Sequence, residues 1–286
     1  MKLNILTTAV LGVAALALVA GGADAKEWKT IRIATEGAYA PWNFTDASGE
    51  LIGFELDLID DLCKRMGTEC EVVAQAWDGI IPALQAGKYD AIMAGMSITD
   101  KRLKVINFST NYAQTPAVFV VTKDSPSAGF STDVESISVG DLDGGEKKAL
   151  DAIIAEFKGK TIGVQVATTH ANFLNEFLAG DVTIRTYDTQ ENLDLDLGAG
   201  RVDTALASMS YWVPLLKSDK GKEMLMVGPG LTGGPFGRGV GVGVRQENPE
   251  LADMFSKAIN EAKRDGTIQR LALQWFGFDV STKPGS

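Results

Sequence analysis

Apolar and polar positions fall into two alternating rhythms over most of the chain. In "TIRIAT" (30–35) alternate residues are apolar, which predicts a strand over Ile31–Thr35. Phe54, Leu58, Leu62 and Met66 then recur about one turn apart and predict a helix over Phe54–Met66. A second strand over Cys70–Gln75, a helix over Ile80–Ala86 stopped by Gly87, and a third strand over Ala91–Ala94 follow. Thr99 is placed to cap a short helix through "DKRLKV", and Asp78 to cap the helix after "AW". Strands alternating with helices predict an α/β protein with a mixed, mostly parallel sheet flanked by helices.

The rhythm then restarts. Thr161–Gln165 reads as a strand, "HANFLNEFL" as a helix, Val182–Tyr187 as a strand and Leu193–Leu197 as a helix end. One segment nearly repeats: "LQAGKYDAIMA" (84–94) against "LGAGRVDTALA" (197–207). Two distant copies are too few for a solenoid and imply two similarly built lobes. Near the C-terminus, Asn248 is a candidate cap, Pro249 suits a first helical turn, and Leu251, Met254, Phe255, Ala258 and Ile259 share one face. "DGTIQRLALQWFG" reads as a last helix ended by Gly277, and glycine-rich Gly228–Gly243 as a crossing strand. The expected organisation is one lobe from residues 26–113 and 237–286 and a second from 114–236, joined by two strands. "EGAYAPWNF", "AWDG", "AGMSITDKR" and "VATTHANF" all fall at carboxyl ends of strands, where open α/β sheets hold ligands.

Residues 1–25 stand outside this pattern. Lys2, an apolar stretch from Ile5 to about Ala20 and the ending Ala23-Asp24-Ala25 form the three parts of a secretory signal peptide, cleaved before Lys26. The apolar stretch is short for a membrane anchor, and no cysteine offers a lipid attachment point. Export changes the reading of Cys63 and Cys70, which in an oxidising compartment are most simply a structural disulfide. With no CxxC and a single histidine, a usual zinc site is not expected, nor any other metal or cofactor. The net charge of −10 argues against nucleic acid and anionic membranes as partners.

"EGAYAPWNF" (36–44) places one carboxylate among three aromatics. Alone it reads either as a turn whose rings cap the core or as a cradle for a cation. "ATEGAYAPWNF", "GFELDLIDDLCKRM", "AWDGIIPALQAGKYDAIMAGMSITDKR" and "INFST" together decide between these, because they resemble the periplasmic solute-binding proteins of polar amino-acid ABC importers. The resemblance covers essentially the whole mature chain. It is strongest to the subgroup for lysine, arginine, ornithine, histidine and the opines octopine and nopaline, and "GPGLTGGPFGRGVGVGVR" looks most like the opine receptors. It implies the two-lobe periplasmic binding protein fold (type II), a Cys63–Cys70 disulfide, and a monomer that delivers a small solute to an inner-membrane permease.

Residue by residue, the resemblance makes Arg102 the fork for the ligand α-carboxylate, a geometry lysine would not reproduce. Ser97 and the main chain of Thr169, at a helix N-terminus, would add carboxylate contacts. Glu36 would meet a cationic tail held between Tyr39 and Trp77, with acceptors from Ala94, Gly95 and Met96, and His170 would face the ligand. One position departs from the pattern: amino-acid receptors of the subgroup carry aspartate where this chain has Ser208, and that aspartate pairs with a free α-ammonium. In an opine the α-nitrogen bears a second carboxylate, which an aspartate would repel, and "TGG" (232–234) could make room for it. The expectation is therefore an arginine-type opine receptor, with a basic amino-acid receptor as the alternative. A dehydratase on the same fold and a sensory module are remoter readings; no Gly-x-Ser-x-Gly elbow or reactive Cys/His pair supports an enzyme.

Overall fold

The computed structural model describes residues 28–283; the expected export signal lies outside them. The chain opens with β1 (Thr30–Thr35), a small antiparallel meander of β2 (Ala38–Tyr39), β3 (Asn43–Thr45) and β4 (Leu51–Ile52), and helix α1 (Phe54–Met66). α1 buries Phe54, Leu58 and Leu62, and Gly67 ends it in the left-handed conformation. There follow β5 (Glu69–Ala74), a 3₁₀ turn (Trp77–Gly79), α2 (Ile80–Gln85), β6 (Ala91–Ile92), α3 (Asp100–Leu103) and β7 (Asn107–Ala113). Cys63 at the end of α1 is bonded to Cys70 in β5.

The next stretch builds a separate sheet. It contains β8 (Ala117–Thr122), β9 (Ser136–Ser138), α4 (Gly144–Phe157), β10 (Thr161–Gln165), α5 (Thr169–Phe177), β11 (Thr183–Tyr187), α6 (Gln190–Gly198), β12 (Thr204–Ser208), α7 (Met209–Leu216) and β13 (Met224–Thr232). The chain then returns to the first sheet as β14 (Val240–Val244), and α8 (Pro249–Arg264) and α9 (Thr267–Phe276) complete the core around β1 and α1.

The sheet orders are β5-β1-β6-β14-β7 and β11-β10-β12-β8-β13-β9. Each contains a parallel trio, β5-β1-β6 and β11-β10-β12, and becomes antiparallel where the linking strands β7, β14, β8 and β13 enter. The sequence repeat occupies the same place in both trios. Asp90, just before β6, accepts the main-chain N–H of Arg32 at 3.1 Å and donates its own N–H to the Arg32 carbonyl. Asp203, just before β12, does the same with Thr161, its carboxylate accepting at 2.6 Å. The shared aspartate thus pins the third strand of each trio to the first.

Four local expectations are corrected. Gly228–Gly243 is not one crossing strand: β13 and β14 lie in different sheets, separated by a 3₁₀ turn at Gly234–Phe236. Gly237 ends that turn at φ 79°, so close to the Ile98 carbonyl that a Cβ would collide with it. The third strand stops at Ile92 rather than Ala94, because the Gly95 N–H leaves the ladder and donates to the Glu55 carboxylate at 2.8 Å. Asp78 caps nothing, since the α2 N-cap is Gly79. Asn248 stands at the α8 N-cap, but its side chain makes no capping bond and its Oδ1 is buried without a partner.

Candidate functional site

The carboxyl ends of the two parallel trios face each other across a cleft. From the first sheet come Glu36 after β1, Trp77 after β5, Ala94, Gly95 and Ser97 after β6, and Arg102 in α3. From the second come Gln165 at the end of β10, Thr168, Thr169 and His170 where α5 begins, Ser208 at the end of β12, and Thr232, Gly233 and Phe236. The space between them is small, about 60 Å³.

At one end of the cleft sits a buried cation. Thr99 caps α3 by accepting the Arg102 N–H at 3.2 Å, which fixes the start of that side chain. The guanidinium donates to the Ser97 carbonyl at 2.9 Å and, across the cleft, to the Ala167 carbonyl at 3.3 Å. It also lies 5.3 Å from the centre of the Trp77 ring. Burial lowers its pKa to about 10, so it stays charged at neutral pH. Carbonyl dipoles and a ring face satisfy its geometry but leave its charge without a carboxylate partner among the described residues. The first turn of α5, capped by Thr168, adds its oriented N–H groups at the same end.

At another side of the cleft is a buried acid. Glu36 is only 8% exposed, and its Oε1 accepts from Gln165 Nε2 at 2.6 Å, a bond between the two lobes. Burial raises its carboxyl to about pH 7; the Gln165 bond opposes this, and the nearby charges of Glu55 and Glu191 add to it. Beneath it, Glu55 holds the walls in place. Its carboxylate accepts from Gly95 N–H, from the Tyr112 hydroxyl and, at 2.6 Å, from Asn43 Nδ2, while Asn43 Oδ1 accepts from Gly37 N–H at 2.8 Å.

The aromatics are arranged differently from a simple facing pair. Tyr39 stacks on Tyr211 of the other lobe, with centroids 4.8 Å apart and planes 17° from parallel, and Trp77 packs on Arg102. The Tyr39 hydroxyl meets Ser208, and burial pushes its pKa up. Ser208 Oγ lies 3.4 Å from His170 Nε2, and burial together with the Arg102 charge lowers His170 to about 4, so the imidazole is neutral at physiological pH. Trp42 Nε1 donates to Ser210 Oγ at 3.1 Å, a further tie across the lobes.

Of the eleven predicted positions, Glu36, Tyr39, Trp77, Ala94, Gly95, Ser97, Arg102, Thr169, His170 and Ser208 line this cleft. Met96 does not; its side chain is fully buried in the core below, and its carbonyl accepts the Gly241 N–H. Sequence reasoning missed Gln165, Gln190, Trp42 and Phe236, which also line it. Gln165 carried a usable signal: it is the polar last residue of a predicted parallel strand, the position that singles out Glu36 in the other lobe. Gln190 and Phe236 lie on segments whose approach to the cleft depends on tertiary packing.

A cleft between two hinged α/β lobes, with a buried cation and a buried acid in its wall, defines a receptor for a small charged solute. The chain belongs to the bacterial extracellular solute-binding proteins, family 3, whose model matches residues 31–278. It is 42% identical over 286 residues to the octopine-binding periplasmic protein of Rhizobium meliloti, covering 94% of this chain and 97% of that one. It is 35% identical over 275 residues to the L-arginine-binding protein of Pseudomonas aeruginosa, covering 95% and 97%. Among solved structures, a periplasmic His/Glu/Gln/Arg/opine family-binding protein from Silicibacter pomeroyi in complex with lysine matches with TM-score 0.70 and 36% identity, over 88% of this chain and 99% of that one. An ancestral arginine-binding protein bound to arginine matches with TM-score 0.72 and 30% identity, over 87% and 99%. The protein is thus a periplasmic solute-binding protein of the two-lobed type, and the relatives named here bind solutes rather than transform them.

Proposed function

We propose that the protein captures an arginine-derived opine of the octopine type between its lobes and hands it, as a monomer, to an inner-membrane ABC permease. Arg102, Ser97 and the Thr169 main chain take the α-carboxylate; Glu36 takes the guanidinium tail beside Tyr39 and Trp77; Ala94 and Gly95 supply carbonyl acceptors. The observation that carries the opine reading is that Glu36 is the one acid among the described residues lining the cleft. Ser208 offers a hydroxyl where a free α-ammonium would need a counter-charge, and Thr232 and Gly233 line the wall where an added carboxylate would need donors. The similarity to the octopine-binding protein supports the same reading. Basic amino acids are the competing ligands, as the arginine-binding relatives suggest.

Calorimetry with octopine, nopaline, arginine, ornithine and histidine tests the assignment. Octopine is expected to bind at least tenfold more tightly than arginine. Micromolar or tighter arginine binding without opine binding overturns it.

A further inference from the structure

The two chain crossings between the lobes differ in stiffness. The first is Gln114-Thr115-Pro116. Pro116 has a fixed φ, and Thr115 is confined to extended conformations because a proline follows it. Its far end is fastened to the second lobe: the Pro116 carbonyl accepts the Met209 N–H at 2.8 Å, and Thr115 Oγ1 lies 3.0 Å from Ser210 Oγ. The second crossing, 233–239, holds four glycines with positive φ (Gly233, Gly234, Gly237 and Gly239) and is intrinsically more pliable. On the first-lobe side both crossings are bound to the tail that follows α9. Val280 is buried in the core of that lobe, its carbonyl accepts the Gln114 N–H at 2.9 Å, and Ser281 bridges to Ala113. Thr282 Oγ1 donates to Asn111 Oδ1 at 2.7 Å. Lys263 Nζ, in α8, donates to the same oxygen at 3.2 Å and to the Lys283 carbonyl at 3.1 Å. An ammonium can only donate, so the Asn111 atom facing it is the oxygen and the other is the NH₂ group. That group donates to the Arg238 carbonyl, in the second crossing, at 2.9 Å. One buried asparagine thereby joins the tail, the strand that leads into the first crossing, and the second crossing.

We propose that the C-terminal tail, Val280–Lys283, is a strap that grips both crossings and sets how readily the lobes open. Hinge rotation is absorbed by the few dihedrals left free. With Thr115 and Pro116 stiff, these lie at Gln114 and in the second crossing, and the strap is bonded at Gln114 directly and at Arg238 through Asn111. The bonds are made in the closed geometry, in which the lobes touch. Rotating the crossings pulls Gln114 and Arg238 against a tail anchored by Val280, so opening works against the strap. Loosening it makes opening faster and more frequent. The strap acts on closure itself, whichever solute fills the cleft.

The strap is loosened in Thr282→Val, in Thr282→Val combined with Lys263→Met, and in a chain ending at Val280, while Thr282→Ser keeps the hydroxyl. Neither Thr282 nor Lys263 lines the cleft. Circular dichroism and thermal midpoints establish that each variant is folded. Stopped-flow tryptophan fluorescence, with octopine and with arginine as probes, reads the rate at which binding levels off at high probe concentration. Solution scattering of the unliganded protein reads its radius of gyration. The double variant should raise the plateau rate and weaken probe binding at least about threefold each, and enlarge the unliganded protein, whereas Thr282→Ser should match the wild type. The shortened chain should behave as the double variant does; if it fails to fold, the point variants decide. A lowered thermal midpoint with unchanged plateau rate and unchanged radius makes the tail a purely structural element and overturns the proposal. Equal effects of Thr282→Ser and Thr282→Val overturn it as well. If neither probe binds, the reading of the solute falls, while scattering of the unliganded variants still decides the role of the strap.

Discussion

Burial lifts the Glu36 carboxyl from its ordinary value of 4.5 to about 7, so the acid is only half ionised at neutral pH in the closed protein. A cationic tail binds the ionised form and draws its pKa down. Affinity is then fully present well above pH 7 and declines as pH falls through 7 toward the lower, liganded pKa. At pH 6, binding should release close to one proton, read as the dependence of calorimetric heat on buffer ionisation enthalpy. At pH 8.5 it should release almost none, and Glu36→Gln should flatten the profile. His170, already neutral with its pKa near 4, does not titrate in this window. Asp194 is also raised to about 7 by burial, but its carboxylate is held by Tyr211 and Gln190 and does not line the cleft, so it adds no ligand-linked proton to the profile. At the opposite end, Arg102→Ala should weaken every carboxylate ligand roughly 100-fold or more, and Arg102→Lys should restore little, because an ammonium cannot reproduce the fork. Glu36 and Arg102 were legible only through the family resemblance: alone, the first reads as part of a turn whose rings cap the core and the second as an ordinary helix arginine. Gln165 showed its position, a polar residue at the end of a predicted strand, but not its partner, because Glu36 reaches it from the other lobe.

At the scale of elements, strong periodicity was a good guide and weak periodicity was not. α1 and β10 occupy the ranges their apolar spacing predicts, and Thr99 caps α3 as expected. The meander β2–β4 has strands of two or three residues, too short to carry a period. α4 is the clearest missed element. Its capping box is written plainly as Asp143 and Glu146, each side chain accepting the other's main-chain N–H. The disulfide ties the end of α1 to β5, the edge strand of the first sheet. Closing so short a loop constrains the unfolded chain by about 2–3 kcal/mol. Paired Cys63→Ala and Cys70→Ala substitutions should lower the urea midpoint accordingly while leaving ligand affinity within about twofold, because neither cysteine reaches the cleft.

At the scale of the molecule, the two sheets are joined by chain crossings at 114–116 and 233–239, and the cleft depends on their relative placement. Contacts that span it include Glu36 with Gln165, Arg102 with the Ala167 carbonyl, Tyr39 with Tyr211 and Ser208, and Trp42 with Ser210. A ligand that adds its own bonds between the lobes shifts the balance further toward closure. Saturating octopine should therefore reduce the radius of gyration in solution scattering and raise the thermal midpoint.

The cavity of about 60 Å³ has a further consequence, for time rather than for equilibrium. Pockets that hold small molecules begin at roughly 300 Å³. The solute must consequently enter while the lobes are apart, and the contacts between them must break before it can. In stopped-flow mixing, the observed rate should rise with ligand concentration and then level off at the rate of spontaneous opening. Beyond that plateau, uptake from the periplasm is timed by the receptor's own hinge, whatever the supply of solute.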